Sequence, residues 1–152
     1  MHKRLAKLPA YRVGLAERSR SMKRVISMIK DHAHILVIDD EEVLLDLVSE
    51  VLEEHGYTVT ALTSAPDARD IFLGRPSAFD LVVTDEMMPE LSGTDLAQEI
   101  LAIRPDIPVI LYTDYPEVSW EKRAKALGVR TILKKSSRTE ELALWIKRVL
   151  ES

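Results

Sequence analysis

Cysteine is absent from the 152-residue chain, which excludes disulfides and every thiolate-held metal site. No apolar run approaches the roughly 20 residues that a membrane-crossing helix needs. The opening MHKRLAKLPAYRVG lacks the apolar core of a secretory signal. Neither GxGxxG nor GxxxxGK(S/T) occurs, so glycine loops that cradle nucleotide phosphates have no support. The histidines, His2, His32, His34 and His55, show no metal-ligand spacing. What remains is a chain the size of one ordinary domain. Its 46% hydrophobic and 30% charged content suits a soluble globular protein, and a cytoplasmic location is expected.

The net charge of -4 conceals an asymmetry. Residues 1–34 carry nine Lys and Arg against Glu17 and Asp31, a net of +7; the rest has 12 basic against 23 acidic side chains, a net of -11. The split suggests a basic arm, residues 1–32, in front of an acidic domain, residues 33–152. Within the arm, Met22, Val25, Ile26 and Ile29 fall at i, i+3, i+4 and i+7. That spacing suits an amphipathic helix against a partner, a second copy or an anionic surface; the alternative is a solvated tail. Nucleic-acid binding has charge in its favour but no motif.

After the arm, short apolar runs alternate with helical patterns. HILVI (34–38), LVVT (81–84) and VILY (109–112) are continuous, as buried parallel strands should be. YTVTA (57–61) alternates and TIL (131–133) is short, as edge strands allow. Between them Leu44, Leu47, Val48, Val51 and Leu52 predict a helix stopping at His55-Gly56. A second helix starts at Ser64 or Ala65 and ends before Gly74. Leu96, Ile100 and Ile103 mark a third, closed by Arg104-Pro105. A fourth lies within 116–127 before Gly128, and a last, 140–150, is capped by Thr139 with Leu142, Ile146, Val149 and Leu150 inward. This (βα)5 alternation predicts an α/β, doubly wound, flavodoxin-like fold with a five-stranded parallel sheet of order 2-1-3-4-5. A site then belongs at the carboxyl ends of strands 1 and 3.

At that rim the first strand ends in Asp39-Asp40, the third in Asp85, the fourth in Thr113 and the fifth in Lys134. Converging carboxylates repel one another unless a cation is present, and an all-oxygen acidic set suits Mg²⁺. With the metal bound, Asp85 on the central strand is the natural nucleophile towards phosphorus. A hydroxyl and an ammonium nearby would neutralise the phosphoryl oxygens.

The motifs VIDDEE, VVTDEMMPELSG, VILYTD and TILKK, in this order and spacing, resemble the receiver domain of bacterial two-component response regulators over about residues 33–150. The resemblance implies that Asp39 and Asp40 are the metal-binding pair and Asp85 the phosphoacceptor and a metal ligand. It implies that Met87 lends a backbone carbonyl to Mg²⁺ (or Mn²⁺), Thr113 is the switch hydroxyl and Lys134 the phosphate-contacting lysine. The implied donor is a sensor histidine kinase or phosphotransfer protein. The implied output is altered binding of a downstream protein, or a second copy, through the face of the fourth helix, fifth strand and last helix. Trp120 and Trp145 lie on the helices of that face and are expected to be half-buried.

Three positions depart from the family's habit. Asp114 stands where a small residue usually follows the switch hydroxyl. Lys135 stands where a cis proline usually follows the lysine, so a trans bond or a shifted loop is expected. Thr131, three before Lys134, replaces the usual rotating aromatic. Met87 and Tyr115 occupy positions that influence dephosphorylation.

A receiver for phosphorelay signalling rather than an enzyme is expected, and a stand-alone one without a DNA-binding domain, as the sequence given runs to the end of the last helix. One rival is a phosphorylation-independent interaction module of the same fold. The other is a Mg²⁺ phosphohydrolase, which needs a general acid; Glu86 is the only local candidate.

Overall fold

The computed structural model describes residues 20–22 and 32–152, apart from Tyr115 and Ser137. The amphipathic pattern at 22–29 therefore lies outside the described residues except for Met22. So does Tyr115.

The elements run β1 (His34–Ile38), α1 (Glu42–Glu54), β2 (Thr58–Leu62), α2 (Ala65–Gly74), a 3₁₀ turn (Pro76–Ala78), β3 (Leu81–Thr84), α3 (Gly93–Ile103), β4 (Val109–Thr113), α4 (Val118–Leu127), β5 (Thr131–Lys134) and α5 (Thr139–Glu151). The strands form one parallel sheet of order β2-β1-β3-β4-β5, as expected.

Period-2 alternation sorts the sheet into two cores. One face carries Ile35, Val37, Leu81, Val83, Ile110 and Tyr112, packed with Leu45, Val48 and Leu52 of α1 and Leu142 and Ile146 of α5. The other carries Leu36, Ile38, Val82, Val109 and Leu111, packed with Phe72 of α2, Leu96 and Ile100 of α3, and Ala124 of α4. Central strands have both faces covered, hence their unbroken apolar runs.

Local chemistry fixes most boundaries. Ser64 and Ser92 cap α2 and α3 by accepting from the N–H groups of Asp67 and Asp95. Gly128 ends α4 at φ 104°, a left-handed value that glycine adopts without steric cost.

Several expectations need correction. On α1 the inward residue of the first turns is Leu45; Leu47 is 47% exposed and Leu44 only half-buried. Ile103 is likewise exposed at the end of α3. Thr139 does not cap α5: it is the helix's first residue, and Arg138 holds the cap position without a side-chain bond. Strands β4 and β5 each extend one residue further than read, to Thr113 and Lys134. The second of these extensions changes the site.

Candidate functional site

The parallel register brings three strand ends together. Asp39 follows β1 and Asp85 follows β3, and the Asp85 N–H donates to the Ile38 carbonyl at 3.0 Å, so the two acids emerge side by side. Carboxylate oxygens of Asp39, Asp40 and Asp85 all lie within 4.8 Å of one another. Asp39 and Asp85 are buried and Asp40 is exposed. A cavity at this rim is lined by Asp40, Glu41, Asp85, Met87, Thr113 and Asp114.

The cation among these acids is Lys135. Its Nζ lies 2.8 Å from Asp39 Oδ2, 2.9 Å from Asp85 Oδ2 and 3.3 Å from Glu41 Oε1, with its side chain only 3% exposed. Lys134, named from the sequence, is exposed instead. The physical reason is register. β5 continues through Lys134, which pairs with Thr113, and the Lys135 N–H then donates to the Thr113 carbonyl at 2.8 Å. One residue along a strand reverses the side-chain direction, so the first residue beyond the pairing turns into the rim. The landmarks counted from the lysine move with it: three before it is Ile132, packed against the core, and after it stands Ser136. No cis peptide bond occurs among the described residues.

Burial pushes the Asp39 carboxyl above its ordinary value, with the bonds from Lys135 and the Glu41 N–H opposing the rise. Burial also acts to lower the Lys135 ammonium, but its bonds to Asp39 and Asp85 outweigh this and hold it firmly protonated.

Thr113 closes the cavity beside Asp85. Its hydroxyl is buried without a hydrogen-bond partner among the described residues, a costly state for a polar group. Met87 is 65% exposed at the mouth. Asp114 also lines the cavity and adds a carboxylate to an already acidic wall.

The loop from β3 to α3 is tied at both ends. Glu90 sits at φ 70° between Pro89 and Leu91, whose carbonyl and N–H meet at 2.8 Å in a tight γ-turn. A Cβ on Gly93 would run into the Asp85 carbonyl and come within 2.9 Å of the Leu111 side chain. The sequence reading missed the Glu86 clamp. Glu86 is buried, and its Oε1 accepts from the Thr94 N–H at 2.7 Å and the Thr94 hydroxyl at 2.6 Å. Burial raises its carboxyl above the ordinary value while Thr94 opposes the rise. The carboxylate is thus engaged at the start of α3.

A hard divalent ion fits this donor set: oxygen ligands only, three of them carboxylates, at the edge of an open cavity.

Residues 35–147 match the family model for the response regulator receiver domain, and the chain belongs to that family. It is 33% identical over 117 residues to response regulator SaeR of Staphylococcus aureus strain USA300, which covers 77% of this chain and 50% of that protein. The chain thus spans about half the length of the curated relatives it matches. Among solved structures, a receiver domain protein from Clostridium thermocellum is 33% identical with a TM-score of 0.74, covering 78% of this chain and 94% of that one. The non-phosphorylated HemR receiver domain from Leptospira biflexa is 30% identical with a TM-score of 0.74, covering 79% and 95%. Family membership implies phosphorelay signalling, in which receiver domains meet histidine kinases. Among the described residues no helix is long and apolar enough to cross a membrane.

Proposed function

We propose that this chain is a phosphorylation switch in which Asp85 accepts a phosphoryl group from a phosphohistidine on a sensor kinase or phosphotransfer protein. The observation that carries the reading is the convergence of Asp39, Asp40 and Asp85, with the Lys135 ammonium bonded to Asp39 and Asp85, beside the Thr113 hydroxyl that has no partner among the described residues. In the transfer, an Asp85 carboxylate oxygen forms the new O–P bond as the N–P bond of phosphohistidine breaks; the imidazole leaves with the electron pair. Asp39, Asp40, Asp85 and the Met87 carbonyl would hold Mg²⁺ (or Mn²⁺), which supplies charge neutralisation for the phosphoryl oxygens. Lys135, rather than Lys134, pairs with the phosphoryl group, and Thr113 donates its hydroxyl to it.

The added charge then shifts the balance between two arrangements of the loops after β4 and β5. The surface of α4, β5 and α5 changes its affinity for a downstream protein. Ile132 replaces an aromatic reporter on β5, so the change is read by backbone and loop position.

The test is intact mass after incubation with acetyl phosphate and Mg²⁺. A gain of one phosphoryl group, lost without Mg²⁺ and in Asp85→Asn, is expected. No gain under any condition would favour the alternative of a phosphorylation-independent interaction module. Asp114 in the cavity wall supports that alternative, and restoration of the gain by Asp114→Ala would locate the obstruction there.

A further inference from the structure

We infer that Glu86 is a positioning residue for Asp85: clamped onto the first turn of α3, it fixes the backbone N–H that orients the phosphoacceptor carboxylate. The inference rests on the reading of Asp85 as phosphoacceptor.

Glu86 is held at three points. Its N–H donates to Asp85 Oδ1 at 2.7 Å. Its carbonyl accepts from the Gly93 N–H at 3.0 Å. Its carboxylate Oε1 takes both the N–H and the hydroxyl of Thr94. The other oxygen of Asp85, Oδ2, is held by Lys135. Both oxygens of the reacting carboxylate are therefore fixed, and one of them depends on the peptide of Glu86.

A buried carboxylate retains its place only while its bonds are made. Thr94 supplies two, one of them an N–H at the start of a helix that has no intrahelical acceptor. Without the carboxylate, those donors are left unpaired and the 85–93 segment keeps only the Gly93 N–H bond to the residue 86 carbonyl on the α3 side. The N–H of residue 86 is then aimed less firmly at Asp85. Groups that orient a metal ligand or nucleophile through a hydrogen bond control affinity and rate without touching the substrate.

The experiment compares wild type, Glu86→Ala, Glu86→Gln, Thr94→Val and Asp85→Asn. Two quantities are read well below each protein's melting temperature: the Mg²⁺ dissociation constant by calorimetry, and the initial rate of phosphorylation by acetyl phosphate. Glu86→Ala is expected to lower the rate about tenfold and weaken Mg²⁺ binding several-fold. Glu86→Gln should stay within about threefold of wild type, because its amide oxygen accepts the same two bonds. Thr94→Val, which removes only the hydroxyl, should fall between them.

A merely structural role would lower the melting temperature and leave both quantities unchanged. Folded Glu86→Ala within about twofold of wild type in both would overturn the inference. If Glu86→Ala fails to fold, Thr94→Val decides, and wild-type values there would overturn it equally. Failure of the wild type to gain phosphate would instead count against the phosphoacceptor reading, while Mg²⁺ affinity would still test the clamp.

Discussion

Replacing Lys135 by methionine removes the one cation bonded to Asp39 and Asp85 among the described residues while keeping most of the side chain's volume. At an effective dielectric of about 20, each contact near 2.9 Å is worth about 6 kcal/mol of attraction. Desolvation of the ammonium and the two buried carboxylates offsets most of that. The larger consequence is that the three acids, within 4.8 Å of one another, are left without compensation. Truncating one member of a buried ion pair typically costs about 3–5 kcal/mol. Because the cluster opens to a cavity and water reaches Asp40, the lower end, about 3 kcal/mol, is expected. The exposed Lys134→Ala should cost no more than about 0.5 kcal/mol.

Urea unfolding in EDTA measures both changes. Adding Mg²⁺ should then narrow the gap between Lys135→Met and wild type, since the vacated acids bind the ion more tightly and binding to the folded state adds stability. Loss of under about 1 kcal/mol for Lys135→Met in EDTA, or a larger loss for Lys134→Ala, would refute the account of the rim and its register.

Gly93→Ala should destabilise the domain by about 3 kcal/mol in urea unfolding, because its Cβ would meet the Asp85 carbonyl and neither backbone can yield without moving the loop. Thr113→Val removes a buried hydroxyl that has no partner among the described residues, so the unmodified protein should be unchanged or up to about 1 kcal/mol more stable. The same variant should lose the phosphorylation-dependent change, seen as an unaltered NMR spectrum around β4 and β5 on modification. The raised Glu86 carboxyl has a definite sign: the folded state holds that proton more tightly than the unfolded state does. The Glu86 contribution to stability therefore falls as pH rises from the ordinary value of 4.5 to the raised one, and Glu86→Gln should remove that contribution from the stability profile.

The strand order, the alternation of helices and the convergence of Asp39, Asp40, Asp85 and Thr113 were legible in the sequence. The features responsible are local: continuous β-branched runs, Gly128 after α4, Ser64 before α2, and acids directly after apolar strands. Parallel topology then forces the strand ends to one rim, so linear spacing suffices to place them. The domain could be read from pattern because its central strands are covered on both sides.

Where the reading slipped, the missing information was three-dimensional. TIL followed by two lysines does not say whether the strand stops at Leu133 or Lys134, and side-chain period turns that single residue into a choice of which ammonium enters the site. Pairing of Lys134 with Thr113 on β4 decides it. Glu86 next to Asp85 reads only as the general-acid candidate of a rival activity; its bonds appear only when α3 brings Thr94, eight residues on, against its carboxylate. The sequence by itself determined the fold and the acids and hydroxyl at the rim, because those follow from hydrophobic period and chain direction. Tertiary structure alone decided which lysine and which acid are fastened to Asp85, because that depends on pairing register and on packing between segments distant along the chain.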